Sequence, residues 1–75
     1  MPQAYVLFNV ESGSEKQVLN ELRQFENVEE SFVTYGQYDL MALLQANTME
    51  EIKNLITYKI RRIDKVKATM TLVVF

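Results

Sequence analysis

Residues 28–46 read VEESFVTYGQYDLMALLQA, two stretches of β-branched, aromatic and aliphatic residues that meet at Tyr35-Gly36-Gln37-Tyr38. A Gly-X pair between two such stretches is the signature of a type II′ hairpin. Glycine alone takes the required positive φ at the first central position without a steric cost. The stretch therefore predicts two antiparallel strands, over residues 28–35 and 38–46, joined by a two-residue turn.

Working outward, the same order of elements lies on both sides of that hairpin. Upstream, residues 4–10 (AYVLFNV) have strand composition and end in a polar break, Glu11-Ser12-Gly13. Ser14-Glu15-Lys16-Gln17 is an S-x-x-Q capping box, and Val18, Leu19, Leu22 and Phe25 follow at helical spacing. Downstream, Thr48-Met49-Glu50-Glu51 is a T-x-x-E capping box. Met49, Ile52, Leu55, Ile56, Ile60 and Ile63 then line one helix face, and residues 67–74 (KATMTLVV) form a last strand. Glu50 and Glu51 stand at the start of this helix and Lys59, Arg61 and Arg62 at its end, as the macrodipole favours. The order is βαβ-βαβ about a central hairpin. Because such crossovers are right-handed, it predicts an α+β, ferredoxin-like sandwich: a four-stranded antiparallel sheet with both helices on one face, of the dimeric α+β barrel type.

The chain of 75 residues has the size of one small domain, which as a lone monomer is only marginally stable. Apolar residues make up 48% and charged residues 24%, which excludes a disordered tail. No apolar run exceeds five residues, far short of the roughly 20 of a membrane span. No basic-then-apolar leader opens the chain, so the expected location is the cytoplasm. The formal charge of −2 disfavours nucleic acid as a direct partner. The absence of cysteine and histidine removes thiolate chemistry, zinc-thiolate sites and the commonest general base. The inventory leans against an enzyme, and no cofactor or metal is expected.

The strands are apolar on both sides. The last offers Ala68, Met70, Leu72 and Val74 on one face, and Val73 and Phe75 with Thr69 and Thr71 on the other. The third sets Leu40, Ala42 and Leu44 against Met41 and Leu43, and the first sets Val6 and Phe8 against Tyr5 and Leu7. A sheet with one solvated face should alternate cleanly. Covering ~600 Å2 of apolar surface would contribute on the order of 15 kcal/mol gross per chain, before the costs of association. A homodimer through the helix-free sheet faces follows as an expectation.

Few residues suggest chemistry, and each has a plain alternative. Asp39 opens an apolar strand just after a turn, where it either meets a ligand or accepts a turn N–H. Thr69 and Thr71 either present paired hydroxyls or serve as ordinary strand formers. Lys59, Arg61, Arg62, Lys65 and Lys67 form the one basic cluster, which reads either as a solvated helix end or as an anion site. Glu26, Glu29 and Glu30 fit a solvated loop and edge. Tyr58, opposite the apolar stripe, is incidental or an oligomer contact.

Gly36-Gln37-Tyr38-Asp39 followed by Thr69-Met70-Thr71, in this order of elements, resembles the effector-binding (RAM) domain of the Lrp/AsnC family of transcriptional regulators. That domain has a G-x-[YF]-D turn entering its third strand and a T-x-T strand near its end. TMEEIKNLITYKIRRIDKV is similar to its second helix. The likeness spans residues 1–75. It implies regulation by a free amino acid held between dimers, dimers assembled into octamer-like rings, and effector binding at Gly36, Gln37, Tyr38, Asp39, Thr69, Met70 and Thr71. Full-length members carry a helix-turn-helix ahead of this domain. Here the first strand starts near residue 4, so the expectation is a stand-alone effector domain that does not bind DNA itself and partners a full-length regulator.

Two other classes share this order of elements. Small oxygenases and isomerases use the dimeric α+β barrel, but with histidine or clustered charge between helices and sheet, and here those stripes are apolar. RNA-recognition modules need stacking aromatics within a basic strand, which neither TLVVF nor YVLFNV supplies.

Overall fold

The computed structural model describes residues 1–74. Its elements run β1 (Gln3–Val10), α1 (Glu15–Leu22), β2 (Val28–Val33), β3 (Leu40–Gln45), α2 (Met49–Tyr58), a 3-10 turn (Ile60–Arg62) and β4 (Val66–Val74). The sheet order is β2-β3-β1-β4 and every pairing is antiparallel. This is the ferredoxin-like α+β sandwich that the element order predicts.

Period-2 patterning sets the core. Along β1, Ala4, Val6, Phe8 and Val10 are buried beneath the helices, and Gln3, Tyr5, Leu7 and Asn9 face the other way half-buried. β3 repeats the pattern with Leu40, Ala42 and Leu44 inside. Val18 and Leu22 from α1, and Ile52, Leu55 and Ile56 from α2, close the core from above. Each large side chain fully buried there contributes about 1.5–3 kcal/mol.

The two capping boxes differ in outcome. Thr48 Oγ1 accepts from the Glu51 N–H at 3.1 Å, and Glu51 Oε2 accepts from the Asn47 N–H at 3.3 Å. Ser14, by contrast, sits at φ −100°, ψ 4° and makes no side-chain cap hydrogen bond. The expected box at α1 is therefore absent: the tight turn in which the Ser14 N–H donates to the Glu11 carbonyl leaves Ser14 out of the extended conformation a cap needs. Thr48→Ala should cost about 1 kcal/mol, and Ser14→Ala should leave the thermal midpoint unchanged. Equal losses in thermal denaturation would contradict this asymmetry.

α2 is shorter than the sequence pattern predicts. It stops at Tyr58, and Ile60 and Ile63 belong to the 3-10 turn and its exit. Both are nonetheless buried. With three residues per turn, positions 60 and 63 stack on one side, so the tighter winding keeps both on the core. Phe25 likewise lies beyond α1 and packs against the core from the following turn.

The hairpin keeps its expected register and loses its last pair. Val33 opposes Leu40, and the Thr34 N–H donates to the Asp39 carbonyl at 2.9 Å, the register a Gly36-Gln37 connection dictates. The strands nevertheless end at Val33 and Leu40 rather than at residues 35 and 38. Thr34 Oγ1 donates to the Tyr38 carbonyl at 2.7 Å, and Tyr35 is 100% exposed, so no Tyr35–Tyr38 pair forms.

The helix-free face carries Tyr5 and Leu7 at its centre, Met41 and Leu43 beside them, and Phe32 and Leu72 at the flanks, 45% and 51% exposed. Phe75, assigned by the sequence pattern to the opposite face, lies outside the described residues.

Candidate functional site

Two regions hold the residues singled out by sequence, and β1 separates them. The first is the connection between β2 and β3. Gly36 has φ +128°, a conformation other residues rarely adopt, with open space around its α-carbon. Gly36 and Gln37 are exposed, and Tyr38 and Asp39 half-buried. The ladder between β3 and β1 ends at Leu40, and Asp39 carries the pairing one residue further. Its N–H donates to the Phe8 carbonyl at 2.8 Å, and its Oδ2 accepts from the Val10 N–H at 2.9 Å. The Asp39 carboxylate thus stands in for a backbone acceptor. This is the plain role open to it, with one oxygen left over. Tyr38 reaches over β1, and its hydroxyl donates to Met70 Sδ at 3.4 Å.

The second region is a cleft of about 480 Å3 between the end of α2 and β4. Thr69 and Thr71 line it, because they pair with Phe8 and Val6 and so share the helix side of the sheet. The helix layer lies over β1 and β3 and stops short of β4, leaving Thr71 and its neighbours exposed. Ile56 and Val66 form the apolar side of the cleft, and Arg61 and Lys67 its charged rim. A bulge where β1 passes from Asn9 to Val10 leaves Lys67 outside the regular pairing. Bulges of this kind re-aim a side chain.

One protomer therefore brings Gly36, Gln37, Tyr38 and Asp39 together with Met70. It places Thr69 and Thr71 on the other side of the sheet. Arg61 and Lys67 were visible only as members of a basic run; nothing in the spacing singled them out as neighbours of the two threonines. Among the described residues no three carboxylates gather as a metal site would require, and no helix is long and apolar enough to cross a membrane. Tyr58 lines a smaller cleft with Asn27, Glu51 and Lys59.

Residues 3–75 match the family model of the Lrp/AsnC ligand binding domain. The chain belongs to the Lrp/AsnC family. The crystal structure of FFRP-DM1 superposes on this Lrp/AsnC domain with a TM-score of 0.96 at 31% identity, each chain covered completely. The regulatory protein AsnC of Haemophilus influenzae is 29% identical over 58 residues, 77% of this chain and 39% of that protein. The chain spans about two-fifths of the length of the curated relatives it matches, and these are transcriptional regulators. A Neisseria meningitidis regulator solved as a complex with L-Met shares the fold, with a TM-score of 0.86 at 13% identity over 99% of this chain and 49% of that one. The Lrp/AsnC domain is thus a regulatory ligand-binding module in type.

Proposed function

We propose that this module binds a free amino acid without chemical conversion, and that binding is coupled to its assembly with further copies and with a full-length regulator in the cytoplasm. The observation that carries the reading is the Gly36–Asp39 turn, which sets an open glycine backbone beside a fixed carboxylate. An amino acid offers an ammonium and a carboxylate. Asp39 accepts from the ammonium in charge-assisted hydrogen bonds, and the N–H groups of Gly36 and Gln37 donate to the carboxylate. Tyr38 and Met70 wall the side chain. Thr69 and Thr71 come from a neighbouring protomer, in keeping with their place across the sheet from the turn. The L-Met complex of the Neisseria regulator supports an amino acid as the ligand class.

The helix-free face is the homodimer surface in this reading, and dimers join into a ring with the effector between them. Support comes from the apolar residues Leu7, Leu43, Met70 and Leu72 gathered on that face. The net charge of −2 supports a module that leaves DNA contact to its partner.

Asp39→Asn tests the site without breaking the turn. The amide oxygen still accepts from Val10, but the charge that meets the ammonium is gone. Losing one charge-assisted pair costs ~1.5–3 kcal/mol, so calorimetric affinity for the amino acid should fall ten- to a hundredfold with the melting temperature preserved. Wild-type affinity in that variant would remove Asp39 from the site.

A further inference from the structure

The cleft between α2 and β4 has a chemistry that the turn does not explain. Its lining presents two cations, Arg61 and Lys67, and two hydroxyls, Thr69 and Thr71, with no carboxylate among its described residues. Among the described residues, neither cation takes part in a side-chain hydrogen bond. A planar guanidinium offers a carboxylate two parallel N–H donors, a lysine adds a compact charge, and threonine hydroxyls donate without adding charge. Ile56 and Val66 supply the apolar wall on which methylene groups rest.

We propose that this cleft is a carboxylate subsite, and that the effector is accordingly an amino acid with an acidic side chain. The proposal rests on the amino-acid reading above. There the α-ammonium and α-carboxylate are both matched at the turn, by Asp39 and by the N–H groups of Gly36 and Gln37. A neutral side chain reaching Thr69 and Thr71 leaves the two cations beside them unmatched. A side-chain carboxylate meets them, and charge complementarity of this kind fixes specificity more than it adds raw affinity. The amide analogue keeps the shape and loses the charge.

Titration calorimetry of the whole chain with L-glutamate, L-glutamine and glutarate tests this. Glutamate should bind at least tenfold more tightly than glutamine. The double variant Arg61→Gln/Lys67→Gln should bring that ratio close to one, and the charge-preserving pair Arg61→Lys/Lys67→Arg should restore most of it. Both residues are exposed, so an unchanged circular dichroism melt should accompany each variant. Glutamine binding as tightly as glutamate overturns the proposal and leaves the amino-acid reading standing. So does binding of apolar amino acids alone, or a ratio that the double variant does not change. Glutarate binding that depends on Arg61 and Lys67, with no amino acid bound, upholds the carboxylate subsite and removes the amino-acid reading. No binding by any of the three or by other amino acids removes both.

Discussion

With the chain paired through its helix-free faces as proposed above, Leu43→Lys is expected to leave a folded monomer of 8.8 kDa. Leu43 lies on the helix-free face, opposite Tyr5 on β1 and Glu30 on β2. In a face-to-face sandwich its side chain moves from half-buried to buried. An ammonium placed there loses its water with no partner across the interface, a cost of several kcal/mol that doubles by symmetry. The lone sheet tolerates the change, because a lysine at 43 stands directly across from Glu30 and makes an opposite-charge cross-strand pair. Light scattering should report the mass of a single chain, and far-ultraviolet dichroism an intact fold. An oligomeric mass equal to the native one would show that copies meet through another surface.

Phe8→Ala should have the largest effect on folding. Phe8 has 0% exposure, with Leu40 beside it on β3 and Thr69 beside it on β4. Truncating a fully buried phenylalanine costs about 3–5 kcal/mol, from lost transfer free energy and from the cavity left behind. Small domains have only about 5 kcal/mol or somewhat more to lose. The variant should therefore be largely unfolded at low urea concentration, and the amino-acid binding proposed above should be lost along with the fold. A urea midpoint close to that of the native chain would mean that the helix layer can collapse onto β1 and refill the space.

The fold was legible because its signals are local and repeated. Alternation along residues 4–10 and 40–44 gave both faces of β1 and β3, and the 3.6 spacing of Val18, Leu22, Ile52, Leu55 and Ile56 gave the inner faces of both helices. The Gly36-Gln37 pair gave the hairpin register. What failed was also local, but it depended on backbone dihedrals that residue type does not specify. Ser14 and Thr48 open near-identical motifs, yet only Thr48 reaches the extended conformation (φ −135°, ψ 157°) in which its hydroxyl faces the helix N–H groups. Isoleucine spacing at 60 and 63 suits both an α-helix and a 3-10 turn, and packing chose the turn.

By itself, then, the amino-acid sequence determined the βαββαβ order, the core face of each element and the family to which the chain is similar, because hydrophobic period and turn chemistry act over a few residues. Only the tertiary structure decided what stands beside what. The bond from Val10 to the Asp39 carboxylate spans 29 positions, and the contact of Tyr38 with Met70 spans 32. The meeting of Arg61 and Lys67 with Thr69 and Thr71 depends on a bulge and on where the helix layer ends. Such neighbours are brought together by strand register and layer packing, which are properties of the whole sheet.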